Sequence, residues 1–145
     1  MRLQKIIFPA VVVILMITSC TKQKAVFLEP VKDLNALWRI NNVTRNETDI
    51  THYIDSAGFR LKLSSDHSFT LEGNDIPFLV NAGEGTWSVD DPQYPNNITF
   101  KPSDSTNSFS GKVATPVSNG KRTLSITFSP GCRSNAYVYT FEKVY

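Results

Sequence analysis

The reactive side chains of this chain gather in few places. Asp90, Asp91 and Tyr94 bring two carboxylates and a phenol into a Pro-rich loop. Paired acids can hold calcium, but such a loop needs six to eight oxygen ligands at set spacing; Asp in this setting more often bonds its own backbone and makes a turn. Cys132 lies in Pro130-Gly131-Cys132-Arg133, where the neighbouring guanidinium can lower a thiol pKa; an inert turn thiol is the commoner outcome. Two histidines, His52 and His67, and one such thiol do not make zinc-ligand spacing. There is no Gly-x-Ser-x-Gly elbow, no His-Glu-x-x-His and no phosphate-cradling Gly-rich loop. The sequence therefore predicts neither an enzyme nor a metal centre, and calls for no cofactor.

The other cysteine carries a different chemistry. Arg2 and Lys5 precede an apolar run over 6–17, interrupted only by Pro9, and Ile17-Thr18-Ser19 leads into Cys20. A spanning helix needs about 20 apolar residues, so the run has the proportions of a signal peptide. The order Ile17-Thr18-Ser19-Cys20 resembles the lipobox of bacterial lipoproteins. That resemblance implies a diacylglyceryl thioether on Cys20, removal of 1–19, and stable anchoring through more than one acyl chain. It leaves Cys132 without a disulfide partner, so packing alone must hold the fold.

Cleavage also changes the charge. The chain has 15 basic and 13 acidic residues, and losing Arg2 and Lys5 leaves the mature chain formally neutral. Basic residues form only short pairs such as Lys121-Arg122, not the stripe that a nucleic-acid binder carries; no nucleic-acid partner is expected. The remaining length suits one domain. The expected organisation is a signal peptide over 1–19, a lipidated N-terminus and tether over 20–32, and one domain over 33–145.

The elements that must position these residues read as strands. Phe59, Leu61 and Leu63 alternate with polar residues, Ser65-Asp66-His67-Ser68 interrupts, and Phe69-Thr70-Leu71 resumes. The same period recurs at 86–89, 98–100, 109–113, 124–128 and 137–141, with a first strand over 37–43 and a further one near 51–54. The prolines from 30 to 130 fall between these runs, where a missing N–H disturbs no ladder. Asn119-Gly120 between two runs favours a type I′ turn. Only 33–36 and part of 74–80 suggest a helical turn. About eight short antiparallel strands predict an all-β domain, a barrel or a sandwich, and closing the sheet removes its edges.

Ala36-Leu37-Trp38, Gly85-Thr86-Trp87, Trp87 to Pro95, and Ser129 to Cys132 with Tyr137-Val138-Tyr139 are similar to motifs of the lipocalin-like lipoproteins of the Bacteroidetes type. The resemblance implies an eight-stranded up-and-down barrel of unassigned function. Two positions depart from it. Ala36 stands where glycine is usual and would be strained at positive φ. His67 replaces a hairpin glycine, and histidine tolerates the left-handed region better than most residues.

Trp38, Phe59, Leu61, Phe69, Trp87, Phe100, Phe109 and Phe128 are the candidate inward positions, either lining a ligand cavity or forming plain core. The two tryptophans are expected as plugs whose N–H bonds backbone. Pro77, Phe78 and Leu79, in an apolar stretch over 76–80, and the loop of Asp90, Asp91 and Tyr94 are candidate interaction loops. Asp55-Ser56-Ala57 and Asp104-Ser105-Thr106 resemble an O-glycosylation motif of that envelope type. Two functions follow as expectations: a lipid-anchored barrel for a small apolar or amphipathic ligand, or a filled barrel serving as a scaffold for an envelope protein partner. The expected location is the outer membrane. Thr21-Lys22-Gln23-Lys24 has none of the acidic residues that mark surface export, which points to the periplasmic face.

Overall fold

The computed structural model describes residues 31–73, 83–131 and 134–145. Its strands are β1 (Ala36–Arg45), β2 (Thr48–Asp49), β3 (Arg60–Leu63), β4 (Ser68–Glu72), β5 (Glu84–Val89), β6 (Asn97–Pro102), β7 (Phe109–Ala114), β8 (Val117–Ser118), β9 (Lys121–Phe128) and β10 (Tyr137–Lys143). Each of β1, β3, β4, β5, β6, β7, β9 and β10 pairs antiparallel with the next, and β10 returns to β1. The result is a closed eight-stranded up-and-down barrel. The short strands β2 and β8 add to the outer ends of β1 and β9. No α-helix occurs among the described residues.

Two-residue alternation places one side chain in two on the inner wall. Leu61 and Leu63, Gly85 and Trp87, Ile98 and Phe100, and Tyr137, Tyr139 and Phe141 are all buried, with more exposed neighbours between them. In β1 the phase slips. Trp38 and Ile40 are buried, then Val43, because a bulge between Ile40 and Asn42 leaves Asn41 without a partner on β10. One extra residue turns the following side chains to the opposite face, which brings Val43 rather than Asn42 inward.

Seven rings from successive walls touch in series: Phe69–Phe100, Phe100–Phe109, Phe109–Phe128, Phe128–Tyr139, Tyr139–Phe141 and Phe141–Phe59 have centroids 5.1 to 6.4 Å apart. Such separations are direct ring contacts, worth about 0.5–1.5 kcal/mol each beyond area burial. Gly85 lies opposite Phe69, and Gly111 lies against the Phe128 ring, so each large ring covers a residue without a side chain. A Cβ on Gly111 would stand 2.8 Å from both the Phe128 ring and the Thr127 carbonyl. The small residue is required by the large one.

The punctuation follows the predicted chemistry in most places. Asn119 and Gly120 both have positive φ, 51° and 74°, as a type I′ turn demands. His67 has φ 65° in the β3–β4 hairpin, so that turn does need a left-handed residue. Ala36 is in β1 and is not among the positive-φ residues, so it carries no such strain.

Three expectations are corrected. Residues near 51–54 are not a strand: Thr51–Tyr53 is a 3₁₀ turn. The Asp49 carboxylate accepts the Thr51 N–H at 2.8 Å, and Thr51 Oγ1 accepts the Val43 N–H at 2.8 Å. These local side-chain bonds compete with the ladder and win. Residues 33–36 form no helical turn; Asp33 accepts the Asn35 N–H, and the chain then enters β1. Pro102 is the last residue of β6 rather than a connecting residue, and it lies opposite Gly85. The stretch 74–80 lies outside the described residues.

The antiparallel order gives the barrel two distinct ends. Residues 31–35, the 64–67 hairpin, the 90–96 loop, the 115–120 hairpin and residues 144–145 gather at one end, called here the entry end. The 46–47 turn and the 103–108 loop lie at the other, the far end.

Candidate functional site

The inward candidates come together as the inner wall. Trp38, Phe59, Leu61, Phe69 and Phe100 are at most 2% exposed, Phe128 and Trp87 at most 8%, and Phe109 is partly buried against them. Trp38 Nε1 donates to the Leu34 carbonyl at 3.0 Å and Trp87 Nε1 to the Ser64 carbonyl at 3.3 Å. Burial pushes the Tyr139 hydroxyl well above its ordinary pKa, so that phenol stays protonated. Cys20 and the apolar trio Pro77, Phe78 and Leu79 lie outside the described residues, as does Cys132.

Asp90, Asp91 and Tyr94 sit at the entry end. Asp90 Oδ1 accepts the backbone N–H groups of Asp91, Asn96 and Asn97 at 3.0 Å each, and Oδ2 accepts Asn97 Nδ2 at 2.9 Å. The donors at Asn97 and Asn96 are the main reason its pKa falls to about 2. Asp91 accepts the N–H groups of Gln93 and Tyr94 at 2.8 and 3.1 Å. Both carboxylates are thus occupied in shaping the loop, and Tyr94 is exposed beside them. Among the described residues no group of three His, Cys, Asp or Glu side chains is arranged to hold a metal.

This loop forms one wall of a cleft that sequence reasoning missed. The Pro92 carbonyl accepts the Lys32 N–H at 3.0 Å and so draws residues 31–35 across the mouth of the barrel. Leu34 is buried there at 2% exposure, and Val31 stays exposed. The resulting cleft has a volume of about 380 Å³ and is lined by Leu34, Asn35, His67, Trp87, Val89 and Pro92, among others. The 64–67 hairpin holds its floor. Trp87 N–H donates to the His67 carbonyl at 2.8 Å, and the His67 and Trp87 rings lie 5.3 Å apart. Asp66 accepts the N–H and hydroxyl of Ser68 at 2.9 and 2.6 Å, and those bonds lower its pKa.

One polar residue of the lining stands out. Asn35 Oδ1 is buried and has no hydrogen-bond partner. Leaving a buried acceptor unmade costs about 1–3 kcal/mol, so it marks a place where a donor would be welcome. Of its lining, only Trp87 was among the sequence candidates. What the sequence did not reveal is that residues 31–35 fold back over Trp87 and Pro92.

A second cleft, of about 710 Å³, lies on the outer wall at the same end, between the β8–β9 hairpin and the β1–β10 pair. Its lining includes the cations Arg39, Lys121, Arg122 and Lys143. A third, of about 460 Å³, runs along the outside of β7 and β9.

No curated protein and no solved structure matches the chain. Residues 17–142 match the model of a domain of unknown function, DUF5004. With most of its length so matched, and its described residues closed into a β-barrel, the chain belongs to the DUF5004 family.

Proposed function

We propose that the chain is a lipid-anchored envelope lipoprotein, held through Cys20 in the outer membrane on its periplasmic face. Its lipocalin-like barrel takes a small amphipathic ligand at the entry end. The observation that carries this reading is the cleft of about 380 Å³ lined by apolar Leu34, Trp87 and Val89 and by Asn35, whose buried Oδ1 has no hydrogen-bond partner. Ligand sites are mostly apolar clefts of roughly 300–1,000 Å³ with a few placed polar groups. A ligand with an apolar body and one N–H or O–H donor fits that chemistry. It sits above the aromatic wall rather than within it.

Native mass spectrometry of the full chain, extracted in detergent from its own envelope, tests the ligand. A discrete adduct that disappears in Asn35→Leu is the expected result; an apo mass from the native envelope overturns it. Incorporation of labelled palmitate tests the anchor separately, and protease shaving of whole cells that removed the domain would overturn the periplasmic orientation.

One observation favours a second reading, a scaffold that binds a protein partner and no small molecule. The rings of the inner wall touch from Phe59 round to Phe69, which is how a small barrel fills its interior. Persistent co-purification of one envelope protein, with a clean apo mass, would select it.

A further inference from the structure

The second entry-end cleft has no role in that reading, and its charge is unusual for this chain. The chain holds nearly balanced charge, 15 basic against 13 acidic residues, yet Arg39, Lys121, Arg122 and Lys143 all line this cleft, with Glu142 the acidic side chain among them. Arg39 and Glu142 neutralise each other, their Nη2 and Oε1 2.7 Å apart. Among the described residues no ion pair involves Lys121, Arg122 or Lys143; Arg122 Nη1 has only a long contact to Thr115 Oγ1, 3.4 Å. The three cations come from two neighbouring strands: Lys121 and Arg122 from the start of β9, beyond the Asn119-Gly120 turn, and Lys143 from the end of β10.

A further arginine lies on the neighbouring strand, its guanidinium donating to the Ala57 and Phe59 carbonyls. Arg39 lies directly opposite Arg60 on β3, although Arg60 also faces Glu72 on β4. Like charges opposite one another on neighbouring strands are destabilising.

We propose that this cleft binds a phosphoryl oxyanion. A guanidinium presents a planar fork that matches two phosphate oxygens, and ammonium groups act as point charges beside it. Arg122 supplies the fork, and Lys121 and Lys143 supply point charges on the same lining. Such an anion can belong to a lipid headgroup or to a soluble phosphorylated molecule. The cleft lies at the same end of the barrel as residues 31–35, from which the chain enters β1, so a headgroup is one of the two sources to test. The charge argument itself needs no anchor.

The test uses the full chain in nanodiscs and follows the backbone amides of 121–123 and 143 by NMR. Pyrophosphate is titrated on phosphatidylcholine discs, and a parallel sample is placed on discs containing phosphatidylglycerol. Saturable shifts with pyrophosphate identify a soluble phosphoryl ligand. Shifts on the anionic discs alone identify a headgroup. The combined variant K121A/R122A/K143A should weaken either response at least about tenfold, and added salt should weaken it further. Lys101→Ala, on the outside of β6, should leave it unchanged. Absence of shifts in both arms, or shifts that survive the triple variant, overturns the proposal. The pyrophosphate arm works equally on unanchored protein, so its failure is distinct from a failure of palmitate labelling.

Discussion

The inner wall and the entry end use the same strands for opposite purposes. Inside, Phe100, Tyr139 and Phe141 are fully buried, seven rings touch in series, and Gly85 and Gly111 make room for Phe69 and Phe128. At the entry end, polar and charged groups are kept within reach of solvent, and one buried acceptor has no partner. The difference teaches where this fold keeps its stability and where it keeps its freedom. A wall in which each residue answers its neighbour cannot change without loss. A rim built from hairpins and Asx turns can change its chemistry while the ladder beneath it stays intact.

That division gives a sharp order of effects. Phe100→Ala removes the ring that bridges Phe69 and Phe109, and its site is closed on all sides. Truncating such a phenylalanine costs about 3–5 kcal/mol, which denaturant titration should register as a large drop in midpoint. A loss under about 1 kcal/mol would mean that the interior holds space the rings do not fill.

Two glycines sharpen the contrast. Gly111→Ala forces a methyl against the Phe128 ring and the Thr127 carbonyl, both 2.8 Å from the new carbon. The ring can turn, but the carbonyl belongs to the β9 backbone, so overpacking of about 1–3 kcal/mol is expected. Gly120→Ala meets nothing within 4 Å and is penalised only by its φ of 74°. Its expected cost is about 1 kcal/mol, from the backbone alone. If Gly120→Ala proved the more damaging of the two, the inner wall would be looser than its contacts state.

The rim responds to pH instead. Asp90 is held down to about 2 by the N–H groups of Asn97 and Asn96. A depressed carboxylate adds stability that is fully present above its unfolded value, near 3.8, and is lost as pH falls through its folded value. The amide shifts of Asn96 and Asn97 should therefore move together with a midpoint near pH 2, while the Phe100 amide holds still. A midpoint near 4 would show that the carboxylate does not organise the 90–96 loop.

These same residues explain how much could be read beforehand. Alternation at 59–63, 69–71 and 137–141 was legible because a half-buried strand repeats every two residues, and Asn119-Gly120 was legible because its turn needs two positive φ values. The 51–54 error came from β-branched and aromatic residues that favour strands, overruled by the Asp49 and Thr51 side-chain bonds. The clefts were not legible. Arg39, Lys121 and Lys143 are far apart in sequence, and only closure of β9 and β1 about β10 puts them on one cleft. Likewise nothing in Val31 to Asn35 announces that Lys32 will bond Pro92.

The smallest effect tests the outer wall. Arg39 and Glu142 make a close pair at 2.7 Å, but their side chains are 54% and 33% exposed. Solvent screening leaves such pairs worth about 0–1 kcal/mol, and Arg39 also loses its unfavourable neighbour Arg60 when truncated. A double-mutant cycle of Arg39→Ala and Glu142→Ala should return a coupling below about 0.5 kcal/mol. The two single variants should nevertheless act in opposite directions on the phosphoryl cleft: removing Glu142 leaves a fourth cation unpaired and tightens anion binding, whereas removing Arg39 leaves a carboxylate there and weakens it. A residue pair nearly silent in stability yet opposed in binding would separate the rim from the wall more cleanly than any core substitution.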